Sequence, residues 1–166
     1  DKGRDSLYDV TGLSGGFIGA NYGKIRYCGS TGTVSGSNDY TGGFVGLNQD
    51  GSGIIENCYA LGKVSGSHAG GFAGKMNWSS VIRYAYAAGM VSDNAGPGFV
   101  NSIINSSQIY FCYYNSANTG NKHGIPMTLD QMKKAENYTG FDFEYVWGIE
   151  TGSYPVIDVK GELGNI

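Results

Sequence analysis

The chain of 166 residues contains 29 Gly and 3 Pro, and it carries a formal net charge of −3. So much glycine raises the entropy cost of folding, which a regular, repeated structure within one domain would offset. Only 11 Lys and Arg are spread along the chain, and no apolar run approaches the roughly 20 residues of a membrane span. We therefore expect neither nucleic-acid binding nor membrane insertion by this segment. The start at Asp1, without an initiator Met or signal peptide, indicates a piece of a longer protein with other domains.

Four copies of a short pattern dominate the first two thirds of the chain. The pattern opens as GGFIG, GGFVG, GGFAG and a weaker GPGFV, which spaces four Phe residues by 27, 28 and 27 positions: Phe17, Phe44, Phe72 and Phe99. Each Phe is followed by a β-type segment that begins with Ile: Ile25, Ile55, Ile82 and Ile109. The first three copies add a Val that the fourth copy lacks: Val34, Val64 and Val91.

A period near 27 residues with three short strands favours an all-β fold, a parallel β-solenoid. Stacked turns lie about 4.8 Å apart, so four of them would span roughly 20 Å. Propeller blades need longer repeats, and a leucine-rich repeat needs a Leu-Asn ladder that this sequence lacks. Val10 stands where the Val of a preceding copy is expected. The predicted array covers residues 1–117, with a partial turn over 1–14 and repeats near 15–36, 42–66, 70–92 and 96–115.

Alternation along the strands predicts which side chains form the core. One face of the second copy is small or apolar throughout: Cys58, Ala60, Gly62 and Val64. The same face of the first copy has Cys28, Ser30, Gly32 and Val34, and that of the third has Ala85, Ala87, Gly89 and Val91. We therefore expect these three sets to point inward, in columns that run along the solenoid.

The remaining positions predict one bend and one outward column. Ile55 has the wrong parity to share a face with Cys58 on a straight strand, so a bend is expected near Asn57. The outward column consists of tyrosines after the first turn, where Gly29 takes their place: Tyr59, Tyr86 and Tyr113.

After the fourth copy the pattern changes to a linker over about 118–126 and a different module, so 118–166 is predicted to form a linker and a small α+β cap. Thr128 as N-cap and Gln131 as its capping-box partner predict one short helix, with an apolar stripe of Leu129, Met132 and Ala135. Alternating aromatic and aliphatic residues then predict strands. Because an open solenoid end is an unpaired sheet edge, we expect this module to cover the last turn, chiefly through Phe143 and Trp147.

These residues resemble a known repeat. The unit GGFVG...IENCYALGKVSG is similar to the GLUG repeat of bacterial cell-surface proteins, which include adhesin-like proteins and IgA-specific metalloendopeptidases. The tail MTLDQMKK...FDFEYVWGIETGSYPVI is similar to a segment that often closes such arrays, so the resemblance covers about residues 13–157. It implies a secreted or cell-surface location and a β-helical array. It implies no activity, because such repeats are accessory to other domains.

No clustered acids or acid–base pairs indicate catalysis, and we expect no enzyme activity and no catalytic residue. Glu56 should lie between Arg26 and Arg83 in a solvated ion ladder on the surface. Asp142 and Glu144 have the parity of a solvent face. His68 and His123 each stand alone in a turn, and neither belongs to a spaced set of metal ligands.

The cysteines leave two interpretations open. Cys28, Cys58 and Cys112 fall in one column, with Ala85 filling the gap, which favours a buried ladder of reduced thiols. The alternative is a Cys28–Cys58 disulfide between adjacent turns, whereas Cys112 lies too far from Cys58 to bond. Without a CxxC pair or a nearby His, we expect no zinc site.

Calcium is a weaker possibility, since the oxygen-rich turns at Asn38 and Asp39 and at Asn48 and Asp50 match no calcium loop. These residues are also ordinary turn formers. We therefore expect no metal and no cofactor.

Aromatic residues carry the remaining functional signal, because they alternate along consecutive turns and predict an exposed strip that could stack sugar rings: Tyr59, Tyr84, Tyr86, Phe111 and Tyr113. Alternatively, the rings stack for stability, or the tail covers them.

Our first hypothesis is a non-catalytic repeat domain that acts in adhesion or as a spacer, with a host or cell-surface glycan or protein as partner. The second is a carbohydrate-binding module, and the third an accessory region of a secreted enzyme such as a surface peptidase.

Overall fold

The computed structural model describes residues 12–36, 40–92, 96–120 and 123–160. Val10, Asn38 and Asp39, which the sequence singled out, lie outside these residues. The described part contains the strands β1 (Ser14–Gly15), β2 (Ile18–Asn21), β3 (Lys24–Ser30), β4 (Val34–Ser35), β5 (Tyr40–Gly42), β6 (Val45–Gln49), β7 (Ile54–Ala60), β8 (Val64–Ser65), β9 (His68–Gly70), β10 (Ala73–Asn77), β11 (Val81–Ala87), β12 (Val100–Ile103), β13 (Gln108–Asn115), β14 (Ile125–Met127), β15 (Trp147–Gly148) and β16 (Val156–Ile157).

The repeats form a parallel β-solenoid of about four turns, as the spacing predicts. Equivalent strands of successive turns pair in parallel, in the orders β1-β5-β9, β2-β6-β10-β12, β3-β7-β11-β13-β14 and β4-β8. Register follows the sequence columns, so Ile25, Ile55, Ile82 and Ile109 are consecutive partners. The first two turns contain four strands instead of the expected three, because the residues before each Gly doublet also pair (β1 and β5).

The four Phe residues make one continuous column inside the solenoid. Their rings stack nearly parallel, with centroids 4.8, 4.9 and 4.8 Å apart along the series Phe17, Phe44, Phe72 and Phe99. These separations equal the spacing of adjacent strands, so each ring lies directly against the ring of the next turn. A second, smaller cluster consists of the Val column and Ala69: Val34, Val64, Ala69 and Val91.

The predicted bend lies at Asn57, and every turn repeats it. The four equivalent residues all have a positive φ, between 50° and 58°: Tyr27, Asn57, Tyr84 and Phe111. A left-handed residue in mid-strand reverses the alternation of side chains, so that Ile55 and Cys58 are both fully buried. The sequence indicated this corner through parity alone.

Two side chains of the last turn close the C-terminal end of the core. Tyr114 takes the column position of Ala87, and its ring lies so close to Gly98 that a Cβ there would meet it at 1.8 Å. The Asn118 amide accepts a hydrogen bond from the Val91 backbone N–H at 2.9 Å and donates one to the Gly89 carbonyl at 3.0 Å. This amide therefore satisfies the backbone groups that a fourth Val strand would have paired.

The C-terminal module is irregular, and its described residues contain no α-helix. The capping box is present, since the Thr128 N–H donates to Gln131 Oε1 at 2.9 Å and the Gln131 N–H donates to Thr128 Oγ1 at 3.2 Å. Two 3-10 turns, Gln131–Lys133 and Ala135–Asn137, replace the expected helix because Lys134 between them is extended. β15 and β16 then form an antiparallel pair. No helix in the described ranges has the length and apolar character to span a bilayer.

The position of this module differs from the expected cover over the last turn. β14 does pair with β13 at the C-terminal edge. The rest of the module runs back across the outer face of the sheet and brings β16 beside β3 and β7. The physical reason is that the aromatic residues of this module bury their apolar surface against the outward tyrosine column.

Candidate functional site

The predicted aromatic strip is mostly covered. Tyr86 and Tyr113 are 0% and 2% exposed, and Tyr59 is half-buried. The expectation that this column faces solvent is therefore wrong for Tyr86 and Tyr113. It offers no open apolar face on which a sugar ring could stack.

The cover is an aromatic cluster of the C-terminal module. The Trp147 ring centroid lies 6.2 Å from that of Tyr59 and 6.0 Å from that of Tyr86. Tyr138 meets Tyr86 and Tyr113 edge-on at 5.6 and 5.2 Å. Trp147, which was expected in the cover, is fully buried, whereas Phe143 is only half-buried.

Polar groups at the rim of this cluster are paired as well. The Tyr86 hydroxyl donates to the Pro155 carbonyl, the Tyr113 hydroxyl donates to the Thr139 carbonyl at 2.9 Å, and Trp147 Nε1 donates to Asn57 Oδ1 at 3.1 Å. Burial raises the pKa of Tyr86. With both ring faces and hydroxyls engaged, these residues hold the module in place.

Gly29 occupies the first position of the tyrosine column for a steric reason. The ring of Tyr59 lies across it, and a Cβ at Gly29 would be 2.2 Å from the ring carbon Cζ. A Tyr in the first turn would therefore displace the ring of the second. The gap in the sequence column is thus part of the packing.

Tyr84 stands apart from the other three predicted site residues, at the corner of its turn. It stacks on Phe111 with centroids 5.6 Å apart and an interplanar angle of 7°. Phe111 is 42% exposed and Tyr84 is half-buried, while Gly140 packs against both rings. The structure thus splits the predicted strip into a covered column and a partly open corner pair.

Glu56 forms the predicted ladder, but its side chain is only 8% exposed. Glu56 Oε2 pairs with Arg26 Nε, and Oε1 pairs with Arg83 Nε and Nη2. The expectation of a solvated carboxylate is wrong, because the two arginines, one turn to either side, shield it. The arginines themselves are 47% and 42% exposed.

We expect Glu56→Gln to lower the free energy of unfolding by about 1–3 kcal/mol, since it leaves two neighbouring arginines without their shared charge. Urea denaturation at low and high salt measures this loss. The exposed Asp158–Lys160 pair, at 3.6 Å, is the control, and Asp158→Asn should change stability by less than about 0.5 kcal/mol. If the two substitutions lowered the free energy of unfolding equally, the burial of Glu56 would add nothing to the stability of the fold.

The cysteine column is a ladder of free thiols. Cys28 pairs in register with Cys58, and Ala85 separates Cys58 from Cys112. Cys58 and Cys112 are buried, and Cys28 is half-buried. Burial raises the pKa of the Cys58 thiol to about 12, and burial also raises the pKa values of Cys112 and Cys28. At Cys28, a hydrogen bond with Cys58 lowers the pKa and so partly offsets the increase that burial causes.

At pH 8 we expect iodoacetamide to modify Cys28 at least about tenfold faster than Cys58 or Cys112, because only the thiolate reacts and burial disfavours it. Since folded Cys58 keeps a proton that an unfolded thiol releases near pH 8.5, its contribution to stability is complete below that pH. It is lost as the pH rises toward 12. Peptide mass spectrometry measures the order of labelling, and labelling in urea is the control. Fast modification of Cys58 in the folded protein would contradict its burial in the column of free thiols.

The other predicted polar positions have structural contacts. Asp142 Oδ1 accepts hydrogen bonds from the backbone N–H groups of Glu144 and Tyr145. Asn48 is fully buried, lies in β6 and bonds to Asn21 and to the Gly53 carbonyl. Among the described residues, no group of three His, Cys, Asp or Glu is placed to hold a metal ion.

Sequence reasoning missed the end-closing residues Tyr114 and Asn118. Their signal was present, since the fourth copy replaces Ala with Tyr and loses its Val where the array ends. A shallow cavity of about 620 Å³ on the C-terminal module was also unpredicted, and residues of both charges line it, including Lys133, Lys134 and Glu150.

Comparison with known proteins identifies the repeat. The model of the GLUG motif matches residues 11–35 and 37–65, which correspond to the first two turns of the solenoid. Comparisons with curated proteins and with solved structures gave no match. The third and fourth turns continue the same columns in register beyond the matched residues. Residues 11–65 therefore carry two GLUG motifs, and these motifs form successive turns of a parallel β-solenoid.

Proposed function

We propose that this chain is a non-catalytic spacer at the surface of a bacterial cell, where it separates other domains of a longer protein. The GLUG repeat and the solenoid fit a non-catalytic repeat domain. Continuous strand pairing and stacked Phe rings suit a rod that resists bending and extension.

The observation that carries this proposal is the covered tyrosine column. The outer side of this column is occupied by the chain's own Trp147, Tyr138 and Phe141. The apolar contacts that a ligand would use are made within the molecule, and they join the second, third and fourth turns to the C-terminal module.

Single-molecule force spectroscopy tests the spacer role, with the protein held between two marker domains. A spacer should unfold in one cooperative event, with a length gain near 3.6 Å per folded residue. A non-repetitive domain of similar length is the control. Gradual extension at forces below those that unfold the marker domains would contradict the proposal.

Carbohydrate binding remains a second candidate because the stacked Tyr84–Phe111 pair is partly open. A glycan array tests it, with Tyr84→Ala as the informative variant and exposed Tyr145→Ala as the control. Glycan binding that is lost only in Tyr84→Ala would support an adhesive role. If no glycan binds, the carbohydrate-binding candidate fails and only the spacer proposal stands.

A further inference from the structure

The loop between β6 and β7 contains the one Asp-Gly pair of the sequence, Asp50 and Gly51, and no Asn of the chain is followed by Gly. Both residues are exposed. Gly51 has no side chain to shield its amide nitrogen, and a Cβ placed there would meet no atom of the described residues within 4 Å. Water and the neighbouring carboxyl group can therefore both reach this peptide bond.

The Asp50 carboxyl lies against the backbone amide that follows it. The Gly51 N–H donates a hydrogen bond to Asp50 Oδ1 at 2.8 Å. Asp50 has a φ of 72°, in the left-handed region that residues with a side chain seldom adopt. In this conformation the side-chain carboxyl stays beside the next nitrogen of the chain.

Hydrogen bonds on one side of the pair hold the loop in this shape. The Gly53 N–H donates to the Asp50 carbonyl at 2.8 Å. The Gly53 carbonyl accepts hydrogen bonds from Asn48 Nδ2 and from the Val81 N–H, both at 2.9 Å. Since intramolecular reactions accelerate when the reacting groups are held together, the loop favours attack of the Gly51 nitrogen on the Asp50 carboxyl.

We propose that Asp50 and Gly51 form a site of spontaneous isoaspartate formation in the folded protein. The Gly51 nitrogen bonds to Asp50 Cγ and loses its proton, while the protonated carboxyl loses its hydroxyl, so that one water leaves and a cyclic succinimide forms. Water then adds to one of the two ring carbonyls, and the C–N bond of that carbonyl breaks. Opening at Cγ restores Asp, whereas opening at the main-chain carbonyl leaves the chain running through the side chain. Water is the only other reactant, and nothing is oxidised or reduced.

Isomerisation would change the connection between two strands of one turn. The backbone would gain one carbon between Asp50 and Gly51, and the carbonyl that accepts the Gly53 N–H would become part of a carboxylate. The succinimide intermediate lacks the carboxylate charge. This modification site goes beyond the spacer role and does not depend on it.

Incubation of the folded protein in mildly acidic buffer made with heavy-oxygen water tests the proposal, because hydrolysis of the succinimide adds one solvent oxygen to Asp50. Peptide mass spectrometry measures the incorporated oxygen, and enzymatic methylation specific for isoaspartate identifies the isomer. A synthetic peptide of residues 47–54 gives the rate for a free chain. The folded protein should convert at least as fast as the peptide, because the loop already holds the reacting groups together.

Gly51→Ala is the matched control, since its methyl group enters open space and circular dichroism can confirm that the variant folds. It should slow the conversion at least about tenfold, because a Cβ hinders attack by the nitrogen beside it. The proposal is overturned if the folded protein converts more slowly than the peptide, or if Gly51→Ala converts at the rate of the unaltered protein.

Discussion

Trp147→Ala is expected to lower the free energy of unfolding by about 3–5 kcal/mol, the loss typical of a large buried aromatic. Trp147 is fully buried, touches two tyrosines of the covered column and stacks on Phe141 at 4.6 Å. Its indole N–H also bonds to Asn57, 90 residues earlier in the chain. Its removal should therefore detach the module as well as leave a cavity.

Urea denaturation measures this effect, and acetylation of tyrosine hydroxyls reports whether Tyr86 and Tyr113 become accessible. Tyr145→Ala is the matched control within the same module, because Tyr145 is exposed and should change stability by no more than about 0.5 kcal/mol. A loss below about 1 kcal/mol for Trp147→Ala, with both tyrosines still protected, would mean that the module is held by other contacts.

Phe72→Ala should also cost about 3–5 kcal/mol, because Phe72 is fully buried between two stacked rings, at 4.9 and 4.8 Å. Phe17→Ala in the first turn should cost less than half as much. Among the described residues Phe17 stacks on the Phe44 ring alone, and it already exposes about half of its surface to solvent.

Chemical denaturation of the two variants, followed by far-ultraviolet circular dichroism, provides the comparison. Phe72→Leu is the partial rescue, since it restores apolar volume without the ring stacking. If Phe17→Ala and Phe72→Ala were equally destabilising, the contribution of a ring would not depend on having neighbours on both sides.

Several parts of the fold were predictable because each depends on the spacing or parity of residues along the chain. The spacing of Phe17, Phe44 and Phe72 gave the solenoid period, and the parity of Ile55 against Cys58 gave the bend at Asn57. Both predictions hold because neighbouring turns of a solenoid repeat the same geometry, so that each residue contacts its own equivalent. The Arg26 and Glu56 pairing follows from the same rule.

Predictions in the C-terminal module were weaker. The capping box at Thr128 and Gln131 is correct, but the helix that should follow it is two 3-10 turns. Met132 turns into the aromatic cluster, whereas Leu129 of the expected stripe is exposed. Packing against the solenoid outweighs helix propensity in a segment this short.

The repeat, the columns and the core face of each strand follow from the amino-acid sequence, since alternation and period are properties of the chain alone. The tertiary structure was needed to show that Tyr86 and Tyr113 are covered while Phe17 is about half exposed. Alternation shows that a side chain leaves the core, but it does not show what lies on the other side. Trp147 covers residues 60 to 90 positions away, and no local pattern encodes a contact of that range.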